Sequence, residues 1–224
     1  MSDAVVQRMP DGPAAARRAA DLLAAAVTEA LAQRGAAHIA LSGGRTPCAT
    51  YAALGPLLPR WDGVHVWFAD ERCVGPDDPQ SNARLVRETL VAPGAVTHRM
   101  QGELGAEAAA HAYERELGDV VLDAVLLGLG EDGHTASLFP GNPVLEASGR
   151  VAPVHDSPKP PPDRITLTRA TIDGARARIL LVTGAGKAAA LAGTLGDPST
   201  DVPGSLIRRD GLVVLADPPA LAQA

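Results

Sequence analysis

Ala124-Val125-Leu126-Leu127-Gly128-Leu129-Gly130-Glu131-Asp132-Gly133-His134-Thr135-Ala136-Ser137-Leu138-Phe139-Pro140-Gly141 runs from four apolar residues into glycines, an acid, a base and a proline. The apolar start reads as a buried strand. The three glycines that follow allow a tight turn and a close approach to a ligand, because they carry no Cβ. Asp132 and His134 therefore fall where a strand ends, the place at which open α/β sheets bind ligands. A histidine there, titrating near neutrality, suits a general base.

Gly128, Gly130 and Gly133 also match the glycine spacing of a dinucleotide site. That fingerprint needs a sizeable helix directly after its third glycine, with the helix N-terminus facing a pyrophosphate. Pro140, Gly141 and Pro143 stop any helix too soon, and His134 would crowd the pyrophosphate. The reading excludes a nicotinamide or flavin site, and no cofactor is expected.

Outward from this segment, strand-like and helix-like stretches alternate. Before it come a helix over Ala14 to Ala32, a strand over His38 to Leu41 and a helix toward Leu58 that Thr46 would cap and Pro47 would open. A strand over Val64 to Ala69 and helices over Ser81 to Leu90 and Leu104 to Leu117 follow. After it come Val151 to Val154, a stiff proline-rich loop over Ser157 to Pro162, and strands at Arg164 to Thr168, Ile179 to Thr183 and Leu212 to Leu215. Nearly continuous apolar strands alternating with helices predict a mostly parallel sheet covered on both faces, as one domain over residues 1–224.

The 224 residues are 46% hydrophobic and 21% charged, a globular rather than disordered composition. A net charge of −6 and the lack of a basic run disfavour nucleic acid. Arg17, Arg18, Asp21 and Glu29 interrupt the alanine-rich first helix, so it is neither a signal nor a membrane span. Cys48 and Cys73 form no spaced metal or redox motif and read as free thiols in a reducing, cytoplasmic setting.

Four groups fall just after strands: Ser42-Gly43-Gly44-Arg45-Thr46, Asp70-Glu71-Arg72, Asp132-Gly133-His134 and Gly184-Ala185-Gly186-Lys187. A parallel sheet would align all four along one edge, around one cleft. Ser42, Gly43, Gly44, Arg45 and Thr46 precede a helix and suit an anion, through backbone N–H groups, hydroxyls and the positive end of the helix. Lys187 supplies a cation and Arg164 a second fork. The Lys187 turn is no magnesium-binding phosphate loop, since Leu181 stands where a glycine is required and Ala188 where a hydroxyl is. Asp132 and His134 lack a third ligand at regular spacing, His155 and Asp156 being the nearest candidates, so no metal is expected. His38, His65, His98, His111 and His155 carry no motif and are expected to be structural or surface residues.

Together these residues resemble the 6-phosphogluconolactonase family, within the wider group that includes glucosamine-6-phosphate deaminases and ribose-5-phosphate isomerases. The resemblance runs through Leu41 to Pro47, Phe68 to Arg72, Ser81-Asn82, Leu127 to Gly141, Arg164 to Thr168 and Gly186-Lys187. Deaminases are similar at the Gly-His pair but continue with Phe-Asn-Glu-Pro, where this chain has Ser137-Leu138-Phe139-Pro140. They also tend to carry Asp-Glu-Tyr in place of Asp70-Glu71-Arg72. The resemblance implies a Rossmann-like three-layer α/β sandwich and hydrolysis of a phosphorylated sugar lactone in the oxidative pentose phosphate pathway. On this reading His134 is the base, Asp132 or Asp70 orients it or the sugar, and Arg72 faces the oxyanion. Ser42, Gly43, Gly44, Arg45, Thr46, Gly130, Arg164 and Lys187 hold the substrate. The expected partner is that small molecule alone, with no nucleic acid or membrane, in a monomer or weak homo-oligomer. A noncatalytic sugar-phosphate sensor is the contrasting reading, but it has no need of His134 and finds no spare segment here for an effector surface.

Overall fold

The computed structural model describes residues 4–224, with the Arg45 side chain outside that description. In chain order the elements are β1 (Val5–Arg8), α1 (Gly12–Arg34), β2 (Ala37–Leu41), α2 (Arg45–Leu54), β3 (Val64–Phe68), β4 (Asp70–Arg72), α3 (Asn82–Thr89) and β5 (Val96–Thr97). Then come α4 (Ala106–Leu117), β6 (Ala124–Gly128), β7 (Val151–Val154), β8 (Arg164–Leu167), α5 (Arg169–Asp173), β9 (Ala177–Val182), α6 (Ala188–Leu195) and β10 (Leu212–Ala216). No described helix is long and apolar enough to cross a membrane.

Seven strands form one parallel sheet in the order β1-β10-β9-β6-β2-β3-β5. The chain leaves β2 toward β3 on one side and β6 toward β9 on the other, so its direction reverses between β2 and β6. Two of the candidate groups follow those two strands, at the point where such sheets open a crevice. Helix α1 lies close on this sheet because its buried face is mostly alanine: Ala15, Ala16, Ala19, Ala20 and Ala30, with Leu23 and Val27. Asp11 accepts from Ala14 N at its start and Gly35 closes its end with a left-handed turn, so both termini are written in the sequence.

Two expectations are corrected. Helix α2 begins at Arg45 with Gly44 as N-cap, not with Thr46 and Pro47, and it ends at Leu54, where a single 3-10 turn over Gly55–Leu57 takes over. Gly44 has no side chain to cap the helix, so the first-turn N–H groups keep no side-chain acceptor. The strand expected over Val64 to Ala69 ends at Phe68, and Asp70-Glu71-Arg72, which follows it as expected, is itself strand β4 of a second, antiparallel sheet in the order β4-β8-β7. Ala69 joins the two sheets: its N–H donates to Leu41 O at 2.8 Å, and its carbonyl accepts from Leu167 N at 2.8 Å.

Three histidines form a row across β2, β3 and the residue that follows β5. His38 and His65 are register partners with ring centroids 4.5 Å apart; His65 stacks on His98 at 5.1 Å, and His98 on Trp67 at 3.8 Å. His65 Nδ1 lies 2.9 Å from His98 Nε2, His98 Nδ1 lies 2.6 Å from Glu116, and Trp67 Nε1 donates to His38 Nδ1. Burial is the first cause holding His38 below its ordinary pKa, with His65 and His98 adding to it and Asp123 opposing; burial and then His98 do the same to His65. A base with a depressed folded pKa takes its proton first in the unfolded chain, so stability rises with pH through this range. The contribution of His38 and His65 is complete above about pH 6.5 and is lost as pH falls below that value. The thermal midpoint is expected to drop between about pH 7 and about pH 5, and His65→Gln to flatten part of the drop. An unchanged pH slope in His65→Gln would show that the row does not carry it.

Candidate active site

The turn after β6 folds back on itself. Gly130 N donates to His134 O at 2.7 Å, Gly133 N to Gly130 O at 3.1 Å, and the Thr135 hydroxyl to Gly128 O at 2.9 Å. This brings His134 Nδ1 to 2.5 Å from Asp132 Oδ1. Gly130 makes the pairing possible, because a Cβ there would stand 2.1 Å from His134 Nδ1 and 2.3 Å from Asp132 Oδ1. The imidazole rests on Phe139, with ring centroids 4.6 Å apart. Burial is the largest influence on His134 and pushes its pKa below the ordinary value, against the opposing pull of Asp132. Asp132 in turn is held below the usual carboxylate range by the charge and hydrogen bonds of His134, and by Lys159, against its own burial. With Nδ1 facing a carboxylate oxygen that can only accept, the ring proton sits on Nδ1, and Nε2 has no protein partner among the described residues.

Asp70, the other carboxylate considered for this task, is committed elsewhere. It is buried, with Oδ1 accepting from Asn82 Nδ2 at 3.1 Å and Oδ2 from the Ser137 hydroxyl at 2.7 Å. Strand alternation then divides its neighbours. Arg72 lines the same cavity as Asp70 and His134, its Nη1 donating to Gln80 O at 2.6 Å. Glu71 turns away and accepts from the N–H groups of Arg72, Asn82 and Ala83 and from the Ser81 hydroxyl, fixing the N-terminus of α3 to β4. Burial raises the Glu71 carboxyl and these backbone bonds pull it back.

A cavity of about 190 Å³ holds His134, Asp70, Arg72, Ser42 and Gly130. A second, of about 430 Å³, holds Thr46, Thr183 and Gly186. Gly43, Gly44, Gly128, Leu129 and Lys187 line both, so the two chambers meet at the glycine pair and the lysine. Ser42 is 4% exposed and its hydroxyl has no partner within the protein. Gly43 is pressed against Asn82, whose amide oxygen lies 1.8 Å from where a Cβ would stand. Asn82 thus packs between the glycine loop and Asp70, bonded to Asp70 through Nδ2 and with its Oδ1 lacking a protein partner. Lys187 Nζ lies 3.9 Å from Glu131, and burial lowers its pKa against the pull of that carboxylate.

Arg164 departs from the role of a free fork. It is 4% exposed and stands opposite Arg72 in the antiparallel register. Its Nε donates to Pro161 O, and its Nη2 to Lys159 O and Pro160 O, so most of its fork is spent on the proline-rich loop. Its guanidinium carbon sits 5.3 Å from the Phe139 ring centre. His155 pairs with Asp163 and Glu107 and does not join Asp132 and His134. Among the described residues no group of three or more His, Cys, Asp or Glu side chains is arranged to hold a metal ion.

Lys159, which the sequence reading placed only in a stiff loop, lines the His134 cavity, and its ammonium lies 3.6 Å from Asp132 Oδ2. The available signal was a single cation set among four prolines, Pro158, Pro160, Pro161 and Pro162.

Residues 10–215 match the family described as glucosamine-6-phosphate isomerases/6-phosphogluconolactonase. The chain is 38% identical to the 6-phosphogluconolactonase of Mycobacterium tuberculosis, over 97% of each chain. It is 40% identical to that of Synechocystis, over 78% of each. Its structure superimposes on the 6-phosphogluconolactonase of Trypanosoma brucei with a TM-score of 0.88 at 28% identity, covering 99% of each chain. A monomeric glucosamine-6-phosphate deaminase shares the fold, with a TM-score of 0.83 at 24% identity and coverage of 98% of this chain and 100% of that one. Matched by the family model over residues 10–215 and by the Mycobacterium tuberculosis relative over 97% of its length, the chain belongs to the glucosamine-6-phosphate isomerase/6-phosphogluconolactonase family, on its 6-phosphogluconolactonase side.

Proposed function

We propose that this protein hydrolyses 6-phosphoglucono-1,5-lactone to 6-phosphogluconate by a water that His134 deprotonates, with no covalent intermediate, metal or cofactor. It would act as a single cytoplasmic domain. The observation that carries the mechanism is the His134–Asp132 pair at 2.5 Å in a cavity that shares its wall with Gly43, Gly44 and Lys187.

The substrate has two ends and the cleft has two kinds of wall. Its phosphate is placed where the chambers meet, against the N–H groups of Gly43 and Gly44, Thr46 and the Lys187 ammonium. This puts the lactone carbonyl in the chamber with His134. Nε2 takes a proton from water as the oxygen attacks the carbonyl carbon, and Asp132 stabilises the imidazolium that forms. Arg72 counters the negative charge that develops on the carbonyl oxygen. Collapse of the tetrahedral intermediate breaks the bond to the ring oxygen, which receives the proton from His134. The product is an open-chain carboxylic acid, which gives its remaining proton to solvent and leaves as the carboxylate. Asp70, fixed by Asn82 and Ser137, is the acceptor for sugar hydroxyls.

The direct test is hydrolysis of freshly generated lactone against a no-enzyme control, since such lactones also open unaided. A rate equal to the control would sink the proposal. Turnover is also expected to survive exhaustive chelation, because an imidazole and fixed cations supply the chemistry. Loss of activity on chelation, with recovery on adding zinc, would instead make Asp132 and His134 metal ligands.

A further inference from the structure

The proline-rich stretch is a built object rather than a simple connector. Ser157 N donates to Pro162 O at 3.0 Å, the Ser157 hydroxyl donates to Lys159 O at 3.0 Å, and Lys159 N donates back to that hydroxyl at 3.3 Å. Buried Arg164 adds its bonds to the carbonyls of residues 159, 160 and 161. Four prolines remove backbone freedom from the same six residues. The backbone is thus a rigid strap, and the one long side chain that it carries over the His134 cavity is Lys159. That side chain is 44% exposed, so the strap aims it without enclosing it.

Its target is specific. Asp132 Oδ1 is taken by His134, and the partner of Oδ2 among the described residues is the Lys159 ammonium at 3.6 Å. We propose that Lys159 is a positioning residue for the base: it anchors the far oxygen of Asp132, so that the near oxygen stays on His134 Nδ1–H and Nε2 keeps its lone pair toward the cavity. This rests on the reading of His134 as the base, and it gives the proline strap a catalytic purpose. The groups facing His134 are Asp132 from its own turn, Lys159 from the strap and Asp70 from β4, with Phe139 beneath the ring. Arg72 and Lys187 line the same cavity. Lys159 opposes protonation of the imidazole, whereas both carboxylates favour it.

The test is titration of the His134 ring by NMR in the free protein, its resonance assigned from a His134→Gln sample, together with the pH profile of kcat/KM. In Lys159→Met the His134 pKa is expected to rise by roughly half a unit to one unit, the size of one charge removed at this range near a surface. The acid limb of kcat/KM should move to higher pH by the same amount, since that ratio reports the free enzyme. Lys159→Arg should restore both. An unchanged His134 titration in folded Lys159→Met, with or without a weaker KM, would overturn the proposal and leave Lys159 a substrate contact or a bystander. A shifted titration with an unmoved acid limb would uphold the effect of Lys159 on the ring and refute His134 as the base.

Discussion

His134→Ala is expected to lower the catalysed rate by roughly 10²–10⁴-fold, the usual worth of a positioned general base, with the fold intact. The ring is partly exposed and packs on one aromatic residue, so its removal leaves the β6 turn supported by its own backbone bonds. Binding of the phosphorylated product should survive within a few-fold, because the groups assigned to the phosphate belong to other elements. Asp132→Asn should fall between the variant and the parent, since an amide can reach Nδ1 but does not stabilise an imidazolium. Single-turnover rates and product affinity, measured on the same preparations, separate these effects. Near-parental turnover in well-folded His134→Ala protein would remove His134 from the chemistry.

Unphosphorylated gluconolactone is expected to be the poorer substrate by at least ~10²-fold in kcat/KM. Each charge-assisted contact to a phosphate is worth about 1.5–3 kcal/mol, and the loop at Gly43 and Gly44 together with Lys187 offers several. The phosphate lies far from the carbonyl, so its binding energy serves to place that carbonyl against the water and His134. Losing it should lower turnover as well as affinity. Lys187→Ala should accordingly damage the reaction of the phosphorylated lactone and barely alter the slow reaction of the other. Equal efficiency on both lactones, or equal damage to both in Lys187→Ala, would show that the phosphate is held elsewhere.

The sequence disclosed what depends on short-range pattern. Apolar runs such as Ala124 to Leu127 and Ile179 to Val182 are buried strands because only a sheet covered on both faces can use them. The Asp132–His134 pairing was present as one of two alternatives. What separates them lies far away in sequence: Asn82 and Ser137, 12 and 67 residues on, fix the Asp70 carboxylate, while His134 Nδ1 lies on Asp132. Strand β1 escaped notice because Val5 and Val6 are exposed and the strand exists only by pairing with β10. Strand β4 is three residues long and takes its identity from β8, more than ninety positions away. A helix that starts at Gly44 carries no side-chain signal of its start, so Thr46 and Pro47 drew the boundary two residues late. Arg164 reads as an anion fork by residue type; it lines the His134 cavity, but its Nε and Nη2 are held by carbonyls of its own loop, which no local pattern announces.

The junction at Ala69 sorts the cleft by origin. The glycine loop, Lys187 and the His134 turn all hang from the large parallel sheet, whereas Asp70, Arg72, Arg164 and the strap bearing Lys159 come from the small antiparallel one. On the proposed reading, one sheet would grip the phosphate and carry the base, and the other would contact the sugar and set the charge around it. On that reading, a descendant of this fold would change which sugar it accepts by rewriting β4, β8 and the loop between β7 and β8, and inherit the anion grip unaltered. Grafting those segments between relatives is accordingly the economical route to new specificity on this scaffold.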